Sequence, residues 1–176
     1  MTALPYAWGG PPLRGTLRAA PEDFFVDERL GFEPDGAGEH VFVHVEKRGA
    51  NTDWIARELA KFAGVAPMNV SYSGIKDRHA VTRQTFSVHM PGKAEPDWRA
   101  FDSDERRVIS AQRHSRKLKR GTHKSNAFRI VLRDVTGDRD HLLVSAGVEH
   151  DRQARDRAVH GRRVRPAGRR RRVARE

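Results

Sequence analysis

The chain has 176 residues, enough for one domain with at most a tail, and an apolar share of 37% limits how much of it can surround a core. Cysteine is absent, which excludes disulfides, thiolate zinc sites and cysteine nucleophiles, and no apolar run approaches the ~18–20 residues of a membrane span. The formal charge is +11, but Asp151 to Glu176 hold 11 Arg and three acids, so +8 belongs to these 26 residues and only +3 to Met1 to His150.

Met1 to Arg14 is a Pro/Gly-rich lead-in with no apolar h-region, so it does not read as a secretory signal, and a soluble cytoplasmic protein is expected. Glu22 to Arg29 (EDFFVDER) is a strand candidate centred on Phe24, Phe25 and Val26, followed by turn formers from Gly31 to Glu39. His40 to Lys47 alternates strictly, with Val41, Val43 and Val45 on one face and Phe42, His44 and Glu46 on the other. Asn51 to Phe62 reads as a helix, with Asn51 or Thr52 as its cap, Ile55, Leu59 and Phe62 on one face and Gly64 as its stop. Val70 to Ser73, Thr85 to Met90, Arg107 to Gln112 and Phe128 to Arg133 follow as strands, the last with Phe128, Ile130 and Leu132 on one side. Several strands around one clear helix predict an α+β fold with a mixed, mostly antiparallel sheet and flanking helices.

Two segments carry chemistry. In Gly74 to Gln84 (GIKDRHAVTRQ) a glycine after a strand permits a tight turn, and Asp77 stands between Lys76 and Arg78. Nearby cations favour an ionised carboxylate, suited to act as nucleophile or fixed charge, although such a trio is more often a surface charge cluster. Arg113 to Lys124 holds six Lys/Arg, two His and no acid, and runs on into Asn126 and Phe128. Lys and Arg neutralise phosphates, while an aromatic ring and an amide are what a flipped-out base needs for stacking and edge hydrogen bonds. The alternative is a solvated loop, with Phe128 a core residue. His40 and His44 sit ~13 Å apart along a strand, too far to share a metal ion. No HExxH motif, phosphate-binding glycine loop or GxSxG elbow occurs, so metalloprotease, NTPase and serine hydrolase chemistry find no support.

Taken in order, PEDFFV (Pro21 to Val26), GFEPDGAGEH (Gly31 to His40), KRGANT (Lys47 to Thr52), ARELAKF (Ala56 to Phe62), GIKDRHAVTRQ and Arg113 to Phe128 resemble the TruD family of tRNA pseudouridine synthases. The resemblance covers about Leu17 to Val135 and implies the pseudouridine synthase catalytic fold, here incomplete. It further implies isomerisation of uridine to pseudouridine in tRNA, at position 13, by a monomer with no metal or organic cofactor. Asp77 falls on the family's catalytic aspartate, and Phe24, Asn126 and Phe128 fall on its uridine-contacting positions. Lys76, Arg78, Arg113, Arg116, Lys117, Lys119, Arg120 and Lys124 are the expected RNA-binding cations. The chain departs from the family at Ser125, where Gly is usual, and after Val135, where a segment resembling GVPNYFGEQRFG is expected and not found. Residues 1–140 are therefore expected to form the N-terminal part of the catalytic domain, and residues 141–176 an Arg-rich disordered tail. That tail has three readings: a basic arm that grips RNA, a solvated charge run, or sequence out of frame after Asp140 in a truncated or frameshifted member. A noncatalytic RNA-binding fragment is the alternative to an active enzyme.

Overall fold

The computed structural model describes Gly10, Pro11 and residues 13–137. Within them the strands are β1 (Leu13–Leu17), β2 (Phe24–Arg29), β3 (His40–Arg48), β4 (Val70–Tyr72), β5 (Val81–His89), β6 (Arg106–His114), β7 (Ser125–Ile130) and β8 (Leu132–Gly137). One α-helix, α1 (Thr52–Phe62), and three short 3-10 turns at Pro21–Asp23, Pro67–Asn69 and Trp98–Phe101 complete the described elements. The fold is α+β, as the pattern predicts, and no described helix is long and apolar enough to cross a membrane.

Six strands form the main sheet in the order β6-β3-β5-β2-β7, with β4 also on β5. Every pairing in it is antiparallel except β2 with β5. The alternation in β3 sets the inner face: Val41, Val43 and Val45 are fully buried and lie opposite Val88, Phe86 and Gln84 of β5. Helix α1 covers this face with Ile55, Ala56, Leu59 and Ala60, and Phe62 packs on Trp98 and Phe101 at ring separations of 6.0 and 5.4 Å. The side chain of Asn51 makes no capping bond, contrary to expectation. Thr52 is buried and points its hydroxyl elsewhere. The C-terminus follows the expected glycine stop: Gly64 takes φ +62°, its N–H bonds to Lys61 O, and the Val65 N–H bonds to Ala60 O.

The edge of β5 opposite β3 is divided between two strands. β2 pairs along Val81 to Arg83 and β4 along Phe86 to Val88, which leaves a seam at Gln84 and Thr85. Helix α1 packs over the β3, β4 and β5 part of the inner face; beyond it Phe24, Val26 and Glu28 of β2 are buried, and the face stays open at β7, where Phe128 and Ile130 are exposed.

Three expectations change. The strand expected from Phe128 to Arg133 is two strands, because β2 begins at Phe24, whose partner Ile130 is the last rung of β7. The Val131 N–H then bonds to Asp23 O, and β8 turns away to pair with β1 in a separate two-stranded sheet. Arg133 fixes this corner with a two-pronged contact to the buried carboxylate of Asp23, at 2.7 to 3.0 Å. Phe128 is not a core residue but 50% exposed. Part of the lead-in, Leu13 and Arg14, belongs to β1. Residues 138–176, with the boundary at 140 and the Arg-rich tail, lie outside the described residues.

Candidate active site

Residues 73–80 link β4 to β5 across the seam and carry Asp77 near their middle. The loop is fastened from beneath by buried polar groups. Gln84 Nε2 donates to Gly74 O at 3.1 Å, and Gln84 Oε1 accepts from Thr52 Oγ1 at 2.9 Å. That same Thr52 hydroxyl accepts the Lys76 N–H at 3.0 Å, while Lys47 Nζ donates to Asp77 O at 3.0 Å and to Ala50 O at 2.7 Å. Burial pushes the Lys47 ammonium down to about 8, against the pull of the Asp77 charge, with nearby Lys76 adding to the fall. With its backbone held, Asp77 presents a carboxylate whose side chain is 49% exposed.

The cation paired with that carboxylate is Arg18, whose Nη2 lies 3.5 Å from Asp77 Oδ2. Arg18 holds a left-handed backbone at φ +58°, and its guanidinium carbon sits 3.9 Å above the Phe24 ring. Phe24 in turn meets Phe128 edge-on at 6.1 Å. The β2–β7 register explains the grouping: Phe24, Val26 and Glu28 lie opposite Ile130, Phe128 and Asn126, so alternate residues of both strands share the inner face. Asn126 Oδ1 is buried and has no hydrogen-bond partner among the described residues. Buried acceptors are normally satisfied, so this one stands ready for a donor.

Of the expected site residues, Phe24 and Phe128 touch, Asn126 stands in the same row, and Asp77 joins them through Arg18. Lys76 does not fit its expected place among the RNA-binding cations. Its side chain turns inward, 7% exposed, and pairs with the fully buried carboxylate of Glu28 at 2.5 Å. Asp77 is thus not flanked by two outward-facing cations. Arg113 is committed as well: it donates to Glu95 at 2.7 Å and to the carbonyls of Gly38 and Lys93, both at 3.1 Å. Arg78, Arg116, Lys117, Lys119, Arg120 and Lys124 are exposed. Arg120 also leans on Tyr72, 5.3 Å above its ring and 3.4 Å from its hydroxyl.

The basic loop is docked beside the seam. Leu118, 1% exposed, is its apolar anchor, and Leu118 O accepts from Ser71 Oγ at 2.9 Å. Gly121 N–H bonds to Ser73 O at 2.8 Å, His123 N–H to Ser73 Oγ at 2.9 Å and Lys124 N–H to Arg29 O at 2.8 Å. Sequence reasoning missed Arg18, Glu28, Lys47, Thr52 and Gln84. Two of them left a signal, since Lys47 continues the Val41, Val43, Val45 phase and Glu28 the Phe24, Val26 phase. A charge at an inward position implies a buried partner.

The family model described as tRNA pseudouridine synthase D (TruD) matches residues 1–157. A tRNA pseudouridine synthase D from Methylococcus capsulatus is 56% identical over 139 residues, which are 79% of this chain and 39% of the relative. One from Cellvibrio japonicus is 52% identical over 135 residues, 75% of this chain and 40% of the relative. The chain therefore spans about two fifths of the length of these curated relatives. Among solved structures, a Methanosarcina mazei protein assigned to TruD superposes with a TM-score of 0.59 at 25% identity, over 76% of this chain and 32% of that one. Because the family model runs through most of the sequence, the chain belongs to the TruD family of tRNA pseudouridine synthases.

Proposed function

We propose that this chain carries the aspartate-bearing part of a cytoplasmic, monomeric enzyme that isomerises uridine to pseudouridine in tRNA, at position 13. The observation that carries the reading is the placement of Asp77. Its backbone is fixed from below, and its carboxylate is open beside Phe24 and Phe128. Arg78, Arg116, Lys117, Lys119, Arg120 and Lys124 meet tRNA phosphates, and the target uridine leaves its stack to lie on Phe128 and Phe24. The Asn126 amide oxygen accepts from the uracil edge. Asp77 acts on the ribose, either by attack at C1′ or by proton abstraction at C2′. In either route the C1′–N1 bond breaks with its electron pair going to N1. The freed uracil turns, C5 bonds to C1′, C5 gives up its proton and N1 takes one. In the attack route the new C1′–C5 bond expels the Asp77 carboxylate unchanged. In the abstraction route loss of the C2′ proton leaves a C1′=C2′ double bond, and as C5 bonds to C1′ the Asp77 carboxyl returns that proton to C2′.

A second reading, a noncatalytic RNA-binding fragment, is favoured by exposed apolar side chains, Phe128 and Ile130 on β7 and Leu17 and Leu132 on the β1–β8 pair. Tritium release from tRNA carrying 5-tritiated uridine separates the two, because the C5 proton is the one lost. The proposal expects release by the purified chain that vanishes in Asp77→Asn, with tRNA affinity unchanged within about threefold. Release by Asp77→Asn would remove Asp77 from the chemistry, and tight binding without release by the parent chain would establish the second reading.

A further inference from the structure

The seam in the β5 edge places a buried ion pair beneath the Asp77 loop. Where β2 leaves β5, the Thr85 N–H has no strand partner, and the Glu28 side chain supplies one, with Oε1 accepting at 3.3 Å. The other oxygen, Oε2, holds Lys76 Nζ at 2.5 Å, and the two side chains are 0% and 7% exposed. Three further observations show a space built for this pair. Gly74 leaves room: a Cβ there would lie 3.2 Å from Lys76 Nζ and 3.3 Å from His123 Cε1. His123 Nδ1 lies 3.9 Å from Glu28 Oε2 and 2.5 Å from Ser73 Oγ, which closes the other side. Thr52 Oγ1 and Lys47 Nζ hold the Lys76 N–H and the Asp77 carbonyl, so the peptide between them is clamped while its two charged side chains diverge.

We propose that Glu28 is a positioning residue for Asp77: by holding the Lys76 ammonium in the interior, it keeps that cation off the neighbouring carboxylate and leaves Asp77 to Arg18 and the substrate. This rests on the proposed role of Asp77 and deepens it. The groups facing the pair are Lys47 from β3, His123 and Ser73 at its rim, and Arg18 on the far side of Asp77. Among the described residues, Glu28 is the carboxylate in ion-pair contact with Lys76, and Asp77 is its neighbour in the chain. If Glu28 loses its charge, the anion left for Lys76 is Asp77. An ammonium brought against a carboxylate lowers its pKa, by roughly 1–3 units for an opposite charge within ~4–6 Å.

The test is a titration of the Asp77 side-chain carboxyl by carbon NMR in the whole chain, for the parent, Glu28→Gln, and Glu28→Gln combined with Lys76→Met. Glu28→Gln keeps an acceptor for Thr85 and removes only the charge. Its Asp77 midpoint should fall by about one pH unit or more, and the double variant should return it to the parent value. Where Glu28→Gln fails to fold, Lys76→Met alone, which leaves Glu28 and Asp77 unaltered, should leave the Asp77 midpoint at the parent value, because the ammonium it removes is already held away from Asp77. An unmoved Asp77 midpoint in a folded Glu28→Gln variant overturns the proposal, as does a shift that survives removal of Lys76, or a midpoint that rises by about one pH unit or more in Lys76→Met. A merely structural pair would lower the melting temperature without moving that midpoint. Tritium release answers separately: if Asp77→Asn keeps its activity, the catalytic reading falls while the titration result stands.

Discussion

Phe128 offers a direct measurement of whether this aromatic wall belongs to the core or to a ligand. A fully buried phenylalanine truncated to alanine costs about 3–5 kcal/mol, because transfer and cavity terms add. Phe128 is 50% exposed, so roughly half of the ~1.5–3 kcal/mol of a buried side chain is at stake. Its edge contact with Phe24, at 6.1 Å, adds the low end of ~0.5–1.5 kcal/mol. On an open face no closed cavity remains, and the expected loss is about 1–2 kcal/mol, a Tm drop of roughly 4–8 °C for a domain this size. Phe86, fully buried on the same sheet, is the control and should lose about 3–5 kcal/mol on the same change. Stacking on an extruded base is worth ~1–3 kcal/mol, so Phe128→Ala should slow tritium release by about 5- to 150-fold, beyond what its stability explains. Thermal melts beside single-turnover rates make the comparison. If Phe128→Ala melts as low as Phe86→Ala, or melts mildly and turns over at the parent rate, the ring is not a base platform.

Two further outcomes follow from the cations. Removing Arg116, Lys117 or Lys119 should each lower the slope of log affinity against log salt by ~0.7, whereas Lys76→Met and Arg113→Ala, whose charges are spent inside the protein, should leave the slope unchanged; salt-dependent filter binding reads this. Burial lowers Lys47 to about 8 from an ordinary 10.5, so between these pH values the unfolded chain holds a proton the folded one has released, and stability rises with pH across that window. A series of melts from pH 8 to 10 should show this rise in the parent and lose it in Lys47→Met.

The sequence showed most clearly what local periodicity controls. The alternation of Val41, Val43 and Val45 placed β3 and its inner face, and the spacing of Ile55 and Leu59 placed α1. It could not show what a distant partner decides. Phe128 to Arg133 alternates without interruption, yet its ladder stops where β2 starts, more than one hundred residues earlier in the chain. Lys76 reads as a surface cation because Glu28, which draws it inward, lies 48 residues away. Arg18 was invisible for another reason: it holds a left-handed backbone at φ +58°, a conformation that an arginine between Leu17 and Ala19 gives no cause to expect. Asp77, Asn126 and Phe128 stand out by residue type and setting, and Phe24 joins them through the family resemblance. Their shared face is a property of the β2–β7 register, which no single segment contains.

The docking of the basic loop separates attachment from contact. The loop is held by one leucine and by backbone or hydroxyl groups of Ser71, Ser73, Gly121, His123 and Lys124, while Arg116, Lys117 and Lys119 point to solvent. On the proposed reading, the side chains that meet RNA are therefore not the groups that keep the loop docked, since Lys124 anchors it by its backbone N–H and leaves its side chain exposed. Charge in this loop can be redistributed, strengthened or thinned while its docking beside the β4–β5 seam stays the same. On the proposed reading, the surface that meets tRNA can drift independently of the chemistry it serves, as a handle can be recut without moving the blade.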